Sequence, residues 1–440
     1  MEAVVVLAVM VHLPLLNSKL TRQSMLNKKN GQMILKEQFQ IPTGLKKWSF
    51  SLMGIGIIAV AIGLFTKVLG KDEHEAAIFW GTLLYNSVFF LLIVNASMFF
   101  ICITTLAMGG WQMAFRRVPE AISAAVPILG IIAILIMFSI VFGHQHHVYH
   151  WLDNEAVGKD NILKGKVGFL NPTFFAVWTL LSVGLWALLG FKLRQISRKS
   201  DDTPMNVEGG KKFIWKNTLW AAGFIVWFTL TVGSTVPWLW LMSIDAHWYS
   251  TMYSWYTFAS SFVAGMALIT LWVVYLKNKG HLEYVTQEHI HDLGKFMFAF
   301  SIFWTYLWFS QFMLIWYAGI PEETIYFKPR VQGPYSAIFF LNLIINFLCP
   351  IIILMTRGAK RNYTLLTFMA ILILFGHWLD FYQMAMPGIS KDHVTLGWLD
   401  FGVLAFFVGL LIFLVGRNLT KAPLLQKNHP FLKESIIHHT

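Results

Sequence analysis

Between Lys295 and Ile320 the chain carries no charged side chain. A run of that length crosses a hydrocarbon core of about 30 Å as a helix. Inside lipid no water is available to the backbone, so its N–H and C=O groups must bond within the segment, which for a single run means a helix. Nine comparable runs accompany it, and spans are expected at 48–69, 78–105, 121–143, 172–193, 218–242, 252–276, 295–318, 335–356, 363–386 and 396–416. With 56% hydrophobic residues and a mean hydropathy of +0.59 over 440 residues, the chain reads as an all-α polytopic membrane protein of ten transmembrane helices.

The net charge of +12 does not point to nucleic acid, because the basic residues lie in short loops between apolar runs. If residues 1–47 are cytoplasmic, most of the 34 Lys and Arg fall on the cytoplasmic side, which predicts both termini inside. The apolar stretch 3–16 is too short to span and lacks the basic start of a signal peptide; it reads as interfacial, or as preceding a later start at Met25 or Met33. The two cysteines, Cys102 and Cys349, both sit in apolar runs and cannot supply the four thiolates of an iron–sulfur cluster.

Asp72-Glu73-His74 precedes the second span and Asp245-Ala246-His247 the sixth. Four spans separate the copies, so the repeat is parallel and predicts two four-helix bundles, 71–242 and 243–387. Helices at 48–70 and 388–417 flank them, with cytoplasmic ends at 1–47 and 418–440.

Ionisable groups within a membrane are costly and should face protein, water or one another. His377 and Asp380 lie three apart on one face of the ninth span, with Gln383 continuing that side and Asp400 expected to approach from the tenth. A His–carboxylate pair there can pass protons or simply lock two helices. On the seventh span Tyr306, Ser310 and Tyr317 share a face expected to look into protein. Asn342 and Asn346 share a face of the eighth span before Pro350, and Thr231, Ser234 and Thr235 precede Pro237 in the fifth. Glu120, His289, His291 and Asp292 are candidate proton entries on the cytoplasmic side. The outer motif containing His144, His146, His147 and His150 can gather protons; a metal there would need ligands from elsewhere. Only His377 lies well within a span, which argues against two-His ligation of haem b. No metal and no redox cofactor of the chain's own is expected.

The stretch DLGKFMFAFSIFWTYLWFSQFMLIWYAGIPEE (292–323) resembles a segment of the NrfD or polysulfide-reductase membrane-anchor family. It is most similar to the two large membrane subunits of bacterial alternative complex III, and among these to the second. The resemblance implies a bacterial cytoplasmic-membrane subunit of a quinol:electron acceptor oxidoreductase. Its partners would be an iron–sulfur subunit, multihaem cytochrome c subunits and a homologous membrane subunit. Quinol, such as menaquinol, would be oxidised near the outer face, and iron–sulfur clusters and haem c would reside in the partners. His377 and Asp380 are then the foremost quinol-site or proton-relay candidates, followed by Asp245, His247 and Asp400. A structural anchor of that complex, an anchor of a molybdenum-dependent reductase and a proton-coupled transporter are the alternatives.

Overall fold

A computed structural model describes residues 38–69, 72–202, 204–391 and 393–439. The stretch 3–16 and the alternative starts Met25 and Met33 lie outside the described residues. Among the described residues there is no strand, and ten helices are long and apolar enough to cross a membrane, as a multi-pass protein requires. They are α1 (Thr43–Val68), α2 (Glu73–Leu106), α3 (Arg117–Phe142), α4 (Pro172–Lys199), α5 (Val207–Trp240), α6 (Met252–Asn278), α7 (Gln287–Ala318), α8 (Ser336–Ile353), α9 (Tyr363–Ile389) and α10 (Trp398–Leu419). A short helix, α11 (Leu432–Ile436), follows.

Several helices run past the apolar runs that announce them, because their caps lie in the loops. Asn206 caps α5, its side chain accepting from Gly209 N at 2.7 Å, so that helix begins well before its apolar portion. Thr286 and His289 form a capping box, with Thr286 N donating to His289 Nδ1 at 3.0 Å, that opens α7 at Gln287, nine residues before the uncharged run begins at Phe296, and Gly319 closes it at φ +64°, a conformation that favours glycine. Three helices contain wide π-type turns, Leu64–Val68 in α1, Thr231–Thr235 in α5 and Ile344–Leu348 in α8, the last two each just ahead of a proline that has no N–H to give the ladder.

α2 through α5 pack on one another, as do α6 through α9, and the two groups meet where α2 lies against α6 and α9 and where the end of α5 lies against α6. α1 and α10 pair along their length and rest on α2. α2 and α6 are the most enclosed spans. They approach so closely at Gly265 that a Cβ there would stand 2.9 Å from that of Ala96, which is why a glycine occupies the crossing. The loops that carry most Lys and Arg share one face, called here the basic face. Residues 420–439 fold back over it, with Gln426 Nε2 donating to Ser197 O at 3.2 Å and Ser435 Oγ to Trp111 O at 2.6 Å.

The hydroxyl face of α7 does not look inward as its polarity predicts. Tyr306 and Tyr317 are 63% and 84% exposed, and Ser310 is half-buried. The inward face carries Ser301, Trp304, Trp308 and Gln311 instead. Tyr317 stands one residue before the end of the helix, where a ring with a polar tip is favoured at a membrane–water interface.

Candidate functional site

Asp380 is fully buried, about 14 Å from the far end of α9 at 1.5 Å rise per residue. Its carboxylate accepts four hydrogen bonds from three neighbouring helices. Tyr256 Oη and Asn342 Nδ2 (2.8 Å) donate to Oδ1; Ser260 Oγ (2.7 Å) and Trp304 Nε1 (2.9 Å) donate to Oδ2. No Lys or Arg is among these partners. An ionised carboxylate away from water is costly unless its lone pairs are filled, and here four neutral donors do that work. A protonated acid needs an acceptor for its O–H, and the Ser260 hydroxyl can become one by turning its own proton toward His377 Nδ1.

His377 joins through Ser260. Its Nδ1 lies 2.9 Å from Ser260 Oγ and 3.9 Å from Asp380 Oδ2. Because the Ser260 proton points to Asp380, Nδ1–H of His377 is the donor to the serine oxygen, which leaves Nε2 as an acceptor. Among the described residues that Nε2 has no hydrogen-bond partner, and neither do Ser301 Oγ and Asn346 Oδ1. All three are buried and stand about one helical turn toward the basic face from Trp304, Asn342 or Asp380 on their own helices. Asn346 in turn donates to Asn342 Oδ1 at 2.5 Å, so α8 adds a second polar arm.

The other candidates on this side are elsewhere. Gln383 Nε2 donates to Tyr335 O at 3.2 Å and does not continue the pair. Asp400 is buried but faces α2, accepting from Tyr85 Oη (2.8 Å) and Thr82 Oγ1 (3.2 Å), and it caps its own helix through Gly397 N (2.9 Å). It does not reach His377 or Asp380, because α9 presents Trp378 and Tyr382 to Tyr85 on its opposite side. The repeated acid and His have diverged in role. Asp72 caps α2 through His74 N at 3.0 Å, whereas Asp245 faces Arg330 at 3.8 Å and His247 pairs with Asp160 at 2.5 Å.

Arg330 was legible only as a loop charge, yet it is buried above Asp380. Its guanidinium donates to Gln383 O (2.9 Å) and Tyr326 O (2.5 Å) and lies 3.4 Å from the centre of the Tyr326 ring. Burial pushes the Tyr326 phenol up to about 12, so it stays neutral beside that cation. Tyr256, Ser260 and Trp304 were also missed. The four-residue spacing of Tyr256 and Ser260, which puts both on one helix face, was the available signal.

On the basic face the proposed entries are bound up in structure. Both Glu120 oxygens are held, by Arg116 Nε at 3.2 Å and Arg117 Nη1 at 2.9 Å. His289 Nδ1 accepts from Thr286 N (3.0 Å) and its Nε2 meets Ser435 Oγ at 3.1 Å. Asp292 pairs with Lys295 (2.5 Å) and His438 (2.7 Å). His291 is buried, and among the described residues its Nδ1 has no hydrogen-bond partner. On the far face, His147 meets Glu73 at 2.9 Å, and the rings of His144 and His146 are 6.0 Å apart. His150 is held below its ordinary value by burial and then by Lys391. Among the described residues no three His, Cys, Asp or Glu converge to hold a metal ion.

No known family matches the chain by its family pattern, and no curated protein matches it.

Proposed function

We propose that this chain is a proton-handling membrane subunit of a quinol-oxidising respiratory complex of the alternative complex III type, residing in a bacterial cytoplasmic membrane with both termini inside. Quinol oxidation near the far face releases protons and passes electrons to an iron–sulfur partner. The chain's own part is the relay from His377 through Ser260 to Asp380. The observation that carries this reading is a buried carboxylate caged by four neutral donors, with a histidine one hydroxyl away. A proton given to Asp380 neutralises the acid; one taken from it is replaced by way of Ser260 and His377. The family resemblance of 292–323 supports the choice of complex, and Trp304, within that stretch, is a donor to Asp380.

A second reading is favoured by the same four bonds, which tie α9 to α6, α7 and α8: Asp380 as a helix lock in a structural anchor. The deciding experiment isolates the tagged chain from native membranes in mild detergent and records its partners, haem and iron. It then compares the complex with one carrying Asp380→Asn. Co-purified multihaem cytochrome and iron–sulfur protein, with lower turnover and proton release in the variant, supports the relay. Unchanged turnover and proton release in an assembled variant leaves only the lock. A chain isolated without haem or iron overturns the respiratory assignment.

A further inference from the structure

Five spans leave a crevice of about 150 Å3 between them, lined chiefly by Phe90 of α2, Leu268 and Trp272 of α6, Phe375 and Trp378 of α9, and Leu404 of α10, with α1 at its edge. Along α6 the lining runs from Leu268 to Asn278, about 15 Å at 1.5 Å per residue, which is one leaflet of a core about 30 Å thick. Apart from two indoles its polar side chains are Tyr275, Asn278 and Thr367, all at the basic-face end. The depth of the crevice, lined by apolar side chains, suits an apolar guest better than water.

The rim adds charge. Asn278 is exposed, and the Lys279 ammonium lies 6.0 Å from the centre of the Tyr275 ring. Leu45 of α1 also lines the crevice and is followed by exposed Lys46 and Lys47. Apolar depth of one leaflet under a cationic mouth is the shape of a phospholipid, with its chain below and its phosphate above. A neutral isoprenoid quinol would use the depth and leave the lysines without purpose.

We infer that this crevice holds one acyl chain of an anionic phospholipid whose phosphate is bound at the rim by Lys279, Lys46 and the Asn278 amide. The lipid completes the junction of α2, α6, α9 and α10, and it rests on no part of the respiratory reading.

The test is native mass spectrometry of the full chain, purified in mild detergent and supplied with phosphatidylglycerol or with phosphatidylcholine of the same chains. Phosphatidylglycerol is expected to be retained about ten-fold or more in preference. Lys46→Gln with Lys279→Gln, both outside the packed core, is expected to abolish that preference. Leu404→Trp, which fills the crevice, is expected to lose both lipids; if it does not fold, the lysine variant still decides. Equal retention of the two lipids, an undiminished preference in the lysine variant, or quinone in place of phospholipid in the organic extract overturns the inference.

Discussion

His377 and Asp380 do not touch: their nearest nitrogen and oxygen are 3.9 Å apart, and the Ser260 hydroxyl fills the gap at 2.9 and 2.7 Å. The proposed relay therefore depends on a residue that contributes no charge. Ser260→Ala leaves Asp380 three of its four donors but cuts its link to His377. In the assembled complex this variant is expected to lose about ten-fold or more in turnover and proton release, the scale of a positioned proton-transfer group. Ser260→Thr keeps a hydroxyl and is expected to stay near wild type. A helix lock alone would show the two variants differing in thermal stability and not in rate.

Glu120 is expected to matter for stability and not for proton entry. Its two oxygens hold Arg116 and Arg117, both buried, and Arg117 also pairs with Asp201. Glu120→Gln leaves buried guanidinium charge short of its partner, a loss of about 3–5 kcal/mol for buried pairs. Thermal unfolding in detergent is the measurement. Material that remains folded is expected to keep its rate per complex; a rate falling in correctly folded Glu120→Gln would return the residue to the proton path.

Acid is expected to loosen the C-terminal tail. His429 is buried against Phe213 and Phe431, its Nδ1 accepts from Phe431 N at 3.2 Å, and burial followed by Arg116 and Arg117 holds its pKa down to about 3. The unfolded tail binds a proton below about 6.5, the docked tail only near 3, so docking is fully stable above pH 6.5 and weakens progressively as pH falls between those values. Carboxylates titrate in the same window, so the variant isolates the histidine. His429→Phe is expected to show a smaller fall in unfolding midpoint between pH 7 and pH 4 than wild type.

Hydropathy made the ten spans legible, because nothing but helix satisfies a backbone in lipid, and the three-residue spacing of His377 and Asp380 put both on one face. Which way a helix faces was not legible. Lipid and core are equally apolar, so a span lacks the polar-out contrast that orients a helix in water, and the hydroxyls of Tyr306 and Tyr317 misdirected the reading of α7. Trp304 lay unnoticed beside them as one more apolar ring. The caging donors come from helices up to 124 positions away in the chain, a proximity that no local spacing records. The burial of Arg330 is illegible for a similar reason, since a loop that folds back over the bundle looks in sequence like one that does not.

Gly376 fixes how far α8 can stand from the site. A Cβ at this position would meet Asn346 Oδ1 at 2.2 Å and Ile345 Cγ2 at 2.4 Å, so α8 packs directly on the backbone that leads into His377. Both neighbours lie in the wide turn Ile344–Leu348, and Asn346 supports Asn342, which donates to Asp380. Gly376→Ala is expected to push the turn away and draw Asn342 off the carboxylate, leaving an acceptor unsatisfied at about 1–3 kcal/mol. If α8 acts on the site only through that bond, Asn342→Ala lowers turnover to the same extent, and the double variant falls no further than either single one. Additive losses in rate would show instead that the methyl at 376 disturbs His377 directly. Unfolding midpoints measured alongside separate that outcome from a general loss of packing, which would lower stability without this pattern in the rates.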